Sequence, residues 1–169
     1  ILCEDTRVTK KLLSHYEIYT PVERFDMHTE VAKVDSIIDR LLEGKNIALV
    51  SDAGTPGISD PGSMLVQAVR RDAPEIVIDA IPGASALTAF LSISGVPVHD
   101  FTFLGFLPHK KGRQTIFNEI AESSTPVILY ESPHRILKTL ESLRDTSPTA
   151  HIVVGRELTK MYEEVRSGS

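Results

Sequence analysis

The chain has 169 residues, 41% of them hydrophobic, a net charge of −5 at pH 7 and a single cysteine. This is enough apolar content for one medium domain or parts of two. The lone Cys3 excludes an internal disulfide, and no apolar run approaches the roughly 18 residues of a membrane span. The acidic balance excludes a uniformly basic nucleic-acid surface but leaves room for a local basic patch. The N-terminus lacks the charged-then-apolar layout of a signal peptide, and a cytoplasmic location is expected.

In chain order, an apolar strand over 1–3 leads through Glu4, Asp5 and Thr6 into a helix over 7–15, which Asp5 or Thr6 can cap. A short extended piece follows over 21–25. Val31, Val34, Ile37, Ile38, Leu41 and Leu42 recur at the spacing of one helical face, which predicts a helix from a Thr29 cap to Glu43, stopped by Gly44. Residues 47–50 read as a buried strand. The twelve residues Ser51-Asp-Ala-Gly-Thr-Pro-Gly-Ile-Ser-Asp-Pro-Gly62 then form a long loop before a helix over 63–71. A strand over 76–78 and the turn 81–86 open the next helix. The order implies an α/β fold with a mostly parallel sheet.

An extended apolar segment over 101–108 ends in His109-Lys-Lys-Gly-Arg113, where a hinge is expected. A helix over 114–123, a strand over 126–130, a loop over 131–133, a helix over 134–143 and a strand over 152–155 begin a second α/β unit. The expected domains are therefore 1–105 and 106–169. Loops at 51–62, 82–86, 130–135 and 156–160 all follow predicted strands, the usual position for ligand-binding residues in open α/β sheets. Both ends of the chain read as cut.

The residues admit more than one role. Gly54, Gly57 and Gly62 suit left-handed turns as well as close approach to a ligand. Asp52 and Asp60 suit a ribose or an ammonium, and Asp60, next to Pro61, equally suits a helix cap. Residues 82–86 offer backbone amides at a helix start. Glu4, Asp5 and Arg7 share the sheet edge of the glycine loop, but an internal ion pair with helix capping would use the same residues. The six histidines are wrongly spaced for a metal cluster, so no metal is expected. Nucleophile-elbow, phosphate-loop and dinucleotide glycine motifs are absent.

Six stretches, Glu4–Arg7, 51–62, 81–86, 103–108, 130–135 and 155–160, together resemble the tetrapyrrole methylase superfamily, in particular its branch that methylates small-subunit ribosomal RNA. The resemblance implies two α/β domains of the class III methyltransferase type with a cofactor cleft between them. It implies S-adenosyl-L-methionine as cofactor and 2′-O-methylation of a cytidine ribose in the decoding region of 16S rRNA, by a cytoplasmic homodimer with no membrane or DNA partner. Members of the family begin before this chain and continue beyond residue 169.

Carried over, Gly54, Thr55, Ile58, Ser59, Asp60, Ser85 and Ala86 line the cofactor from the first domain. Tyr130, Glu157, Leu158 and Thr159 line it from the second. A ribose hydroxyl needs a base or a stabilising cation, for which Glu4, Asp5, Arg7 and Lys160 are the candidates. Lys10, Lys110, Lys111, Arg113 and Arg135 are the expected phosphate contacts, and the ribose 2′-hydroxyl distinguishes RNA from DNA. The alternatives are a superfamily methyltransferase acting on a tetrapyrrole-like small molecule, and a noncatalytic RNA-binding module.

Overall fold

The computed structural model describes residues 1–169. Its elements alternate along the chain: β1 (Leu2–Cys3), α1 (Thr6–His15), β2 (Glu23–Arg24), α2 (Glu30–Leu42), β3 (Leu49–Val50), α3 (Ser63–Asp72), α4 (Ala86–Ile93), β4 (Thr102–Phe106), α5 (Arg113–Glu122), β5 (Val127–Tyr130), α6 (Ile136–Thr146), β6 (Ile152–Arg156) and β7 (Glu164–Gly168). No helix is long and apolar enough to cross a membrane. The chain forms two compact units, Ile1–Ser85 and Ala86–Ser169. The sequence reading divides it later, at 105/106, inside β4; since β4 pairs with β5, the packing keeps β4 and α4 with the second unit.

In the first unit, β1 is the central strand of a parallel sheet ordered β2-β1-β3. Leu2 and Cys3 are fully buried, as expected of a strand covered on both faces. Val34, Ile37 and Ile38 of α2 join Leu65, Ala68 and Val69 of α3, with Leu2 and Phe25, in one core. Full burial of such a side chain stabilises by about 1.5–3 kcal/mol.

Asp5 caps α1 as expected, its carboxylate accepting the Arg7 amide at 2.8 Å. Thr29 does not cap α2 with its side chain. Asp26 takes over that role, accepting the amides of His28 at 3.0 Å and Thr29 at 2.9 Å and the Thr29 hydroxyl at 3.0 Å. The strand expected over 76–78 is absent. Ile76 and Ile78 pack on the core and Val77 faces out, but no neighbouring strand supplies a ladder, so the alternation yields only an extended segment.

In the second unit β4 and β5 pair in parallel, with a register shift between Phe103 and Phe106. The rings of Phe103 and Phe106 lie 5.0 and 5.4 Å from that of Tyr130 on β5. β6 pairs with β7 in antiparallel fashion from Ile152↔Gly168 to Arg156↔Glu164. β7 lies beyond the last strand expected from the sequence, and this separate β6–β7 pair is antiparallel where a mostly parallel sheet was expected. Phe117 of α5, Ile128 of β5 and Leu107 are the unit's buried apolar residues.

Candidate functional site

The register Cys3↔Val50 between parallel β1 and β3 brings residues 4–7 and the 51–62 loop out at one end of the first sheet. The two are joined directly, for the Asp5 amide donates to Asp52 Oδ1 at 3.3 Å. Asp5 and Arg7 occupy each other: the guanidinium grips the Asp5 carboxylate at 2.6–3.2 Å and holds its pKa far below the usual carboxylate range. The ion pair with helix capping that the sequence left open is therefore what these two residues form. Glu4 stands apart, with no hydrogen bond or ion pair on its side chain. Burial raises its pKa, and the negative charges of Asp60, Asp52, Asp26 and Asp5 raise it further.

Asp60 does not cap α3. That helix begins at Ser63, and its first amides are taken by Glu30, a buried residue of α2 whose Oε1 accepts from Gly62 at 3.0 Å and Leu65 at 3.3 Å. Relieved of capping, Asp60 is raised by burial and by the charge of Asp52, with a hydrogen bond from Ser51 acting the other way. Glu4, Asp52 and Asp60 thus form an acidic cluster without an ion pair of its own, in which the charge of Arg7 acts on Asp52. It is not arranged to hold a metal.

The loop itself is tightly tied. The Ser51 hydroxyl reaches the carbonyls of Ala53 and Gly54 at 3.1 and 3.2 Å, and the Thr55 hydroxyl donates to Ala84 O at 3.3 Å. The last contact ties the 51–62 loop to Ala84, although the segment before residue 82 forms no strand. Ile58 is half exposed and Ser59 has φ +62°. Non-glycine residues in this region cost roughly 1–2 kcal/mol each. Glu17, Ser59, Glu157 and Thr159 are the chain's four examples, and three of them fall in the loops singled out from the sequence. Such strain is concentrated where a backbone is held for a purpose beyond connection.

In the second unit, α4, β5, α6 and β6 surround a cavity of about 690 Å³, whose lining includes Ala86, Phe90, Tyr130, Leu140, Val153 and Leu158. Its volume lies in the range of small-molecule sites. Ala86, Tyr130 and Leu158, three expected cofactor residues, therefore line one space. Gly155 permits it: a Cβ there would stand 2.5 Å from the Phe90 ring. Glu157 and Thr159 lie in the β6–β7 connection, and Lys160 pairs with Glu157 at 3.2 Å on the surface.

The expected phosphate contacts divide. Lys10, Lys110 and Lys111 are exposed and without ion pairs. Arg113 and Arg135 are not free cations: both are ion-paired to Glu131, at 3.2 and 2.6 Å, with side chains only 12% and 20% exposed. Sequence reasoning missed Glu30 and Glu131 as structural carboxylates. A tertiary partner leaves no local spacing signal. Glu131 did stand in a quoted motif.

Glycine-bearing loops at the carboxyl ends of parallel strands place the chain among α/β proteins whose ligand sites, where present, lie at such strand ends. The sequence model for tetrapyrrole (corrin/porphyrin) methylases matches residues 1–169, and the chain belongs to that family. It is similar to proteins named ribosomal RNA small subunit methyltransferase I. That of Xylella fastidiosa is 46% identical over 171 residues, covering 100% of this chain and 62% of the relative. That of Halalkalibacterium halodurans is 44% identical over 170 residues, covering 100% and 58%. That of Thermotoga maritima is 39% identical over 168 residues, covering 99% and 75%. The chain thus spans about 60% of the length of the first of these curated relatives.

Proposed function

We propose that this chain is the cofactor-binding part of an S-adenosyl-L-methionine-dependent methyltransferase of small-subunit rRNA, acting on the 2′-hydroxyl of a cytidine ribose in the decoding region, as a cytoplasmic homodimer. The observation that carries the cofactor reading is the cluster of carboxylates, Glu4, Asp52 and Asp60, none of them in a salt bridge, beside a glycine loop with a strained Ser59. Uncompensated acids at a loop edge suit a ligand that carries positive charge. The rRNA reading is supported by the names of relatives that match over the whole chain.

The residues fit this cofactor. Bound S-adenosyl-L-methionine supplies an electrophilic methyl on a sulfonium cation. In the first unit, Gly54, Thr55, Ile58, Ser59, Asp60 and Ser85 are the proposed contacts, and the negative potential there favours the cation. In the second, Ala86, Tyr130 and Leu158 offer apolar and aromatic surface around one cavity, with Glu157 and Thr159 on the adjoining connection. Among the four candidate catalytic groups, Glu4 is the proposed base. It is unpaired and its pKa is raised, so it accepts a hydroxyl proton more readily than Asp5, which Arg7 keeps ionised. Arg7 and Lys160 are each held by a carboxylate and are assigned to positioning.

Calorimetric titration of S-adenosylhomocysteine into the intact protein tests this reading, with Asp60→Ala and Ser85→Trp alongside. Saturable one-site binding, weakened about tenfold or more in each variant (about 1.4 kcal/mol), is expected. A folded protein that binds none overturns it. Methyl transfer to a corrin or porphyrin ring instead of rRNA would favour the other activity the family's description names.

A further inference from the structure

The 107–113 segment leaves β4 as Leu-Pro-His-Lys-Lys-Gly-Arg and carries two adjacent unpaired lysines at its exposed tip. Its base is fixed from an unexpected quarter. Arg135 Nη1 donates to Leu107 O at 3.1 Å, and Arg113 Nη1 donates to Pro108 O at 3.1 Å. Each of these guanidiniums is in turn held by Glu131, which lies beyond the end of β5 with its side chain 2% exposed.

Glu131 Oε1 meets Arg135 Nη2 at 2.6 Å and Oε2 meets Arg113 Nη2 at 3.2 Å. The Thr139 hydroxyl, itself buried, donates to Glu131 Oε2 at 2.7 Å and accepts from Arg113 Nη2 at 2.5 Å. The Ser132 amide donates to Oε1 at 2.8 Å, and the Arg113 guanidinium lies 5.1 Å over the Phe117 ring. One buried carboxylate therefore fixes, through two arginines, two consecutive carbonyls at the root of the loop. The far end is set by Gly112 at φ +79° and by the Arg113 amide bonded to Lys110 O at 3.3 Å.

Two arginines facing one glutamate leave the brace net positive at the root of the loop that carries Lys110 and Lys111. A local cationic patch on an acidic chain is complementary to a polyanion. A loop held in place gives up less conformational freedom on binding than a free one. We infer that Glu131 is a positioning residue that presets the 109–111 loop, through Arg113, Arg135 and Thr139, as a grip on the sugar-phosphate backbone of the RNA substrate. The inference rests on the rRNA reading above and deepens it by assigning the backbone-binding element.

The test is fluorescence anisotropy of a labelled small-subunit rRNA fragment with the intact protein at several KCl concentrations. The proteins compared are wild type, Lys110→Ala/Lys111→Ala, Glu131→Gln, and the three changes combined. Thermal melting and S-adenosylhomocysteine titration accompany each. Removing the lysines is expected to lower the slope of log K against log salt by about 1–2, since each lost phosphate contact contributes roughly 0.7–0.9. Glu131→Gln, though it retains both lysines, is expected to lose most of the same slope, and the combined variant to lose little more.

Should Glu131→Gln fail to fold, Thr139→Val replaces it in the same comparison, with Thr139→Ser restoring the slope. A folded Glu131→Gln or Thr139→Val protein with the wild-type slope, in which removing the lysines keeps its full effect, overturns the inference. So does a wild type that binds RNA indifferently to the lysine pair. A wild type that binds S-adenosylhomocysteine but no RNA instead overturns the rRNA reading itself.

Discussion

Glu4 and Glu131 both stand just beyond the carboxyl end of a parallel strand, one in each unit, and their surroundings drive them in opposite directions. Glu4 follows β1 and faces Asp52 and Asp60 with no ion pair of its own, so burial and like charge raise its pKa. Glu131 follows β5 and its carboxylate is also taken out of water, yet its pKa is lowered. Burial pushes it up, but hydrogen bonds from Thr139, the Ser132 amide and Arg113, with the charge of Arg135, outweigh that push. Position at a strand end is therefore not what makes an acid functional. A carboxylate whose partners are complete braces the fold, and one left with like charges stores repulsion that a proton or a cationic ligand relieves.

The strongest way to break this contrast is Glu131→Ala. It leaves Arg113 and Arg135 facing each other without their counter-charge, and the expected loss is about 3 kcal/mol, near the low end for breaking a buried pair because both arginines keep some water. Thermal melting at neutral pH should show Tm lower by roughly 10 °C. The sign of the pH dependence follows from the lowered pKa. The contribution is fully present above the ordinary carboxylate range and is lost as pH falls through the folded value, so the two melting curves should converge in acid. An unchanged Tm at pH 7 would show that the brace is decorative.

A smaller effect probes the first unit's loop. Gly62 has φ +127°, and a Cβ there would stand 2.5 Å from Leu49 Cδ2, whereas Gly44 has φ +83° with open space around it. Gly44→Ala is expected to cost about 1 kcal/mol for the backbone alone, and Gly62→Ala about 2–3 kcal/mol once overlap is added. Equal losses in chemical denaturation would mean that Leu49 moves aside and that the loop is less tightly built than its contacts suggest.

Much of this was legible in the sequence, and the failures share one cause. The 3.6-residue pattern of Val34, Ile37 and Ile38 located α2 within a residue, and the Asp5 cap of α1 was readable from its neighbours. Periodicity reports which face is buried, as it did for Ile76 and Ile78, but not whether a neighbouring strand exists to make a ladder. The cap of α3 comes from Glu30, more than thirty residues earlier, so a local reading could offer only nearby Asp60 as one of two alternatives. Arg113 and Arg135 read as phosphate contacts because ion pairing to Glu131 is tertiary. Three of the four non-glycine residues with left-handed backbones, Ser59, Glu157 and Thr159, sit inside loops the motifs marked.

The subtlest test takes the raised carboxylate directly. If Glu4 is held in a field of like charge, Glu4→Gln should stabilise the folded protein, an outcome opposite in sign to Glu131→Ala. Its folded pKa lies above the unfolded one, so ionised Glu4 costs stability. That cost is absent below the ordinary carboxylate range, where both states are protonated, and is complete once pH exceeds the folded value. The gain on substitution should thus be nil near pH 3 and amount to about 2 °C in Tm at pH 7. The same variant should lose methyl-transfer rate while keeping S-adenosylhomocysteine affinity within a few fold, because the base acts on the acceptor hydroxyl and not on the cofactor. A neutral-pH loss of stability would mean that Glu4 has a favourable partner, and the case for it as the base would fall with that finding.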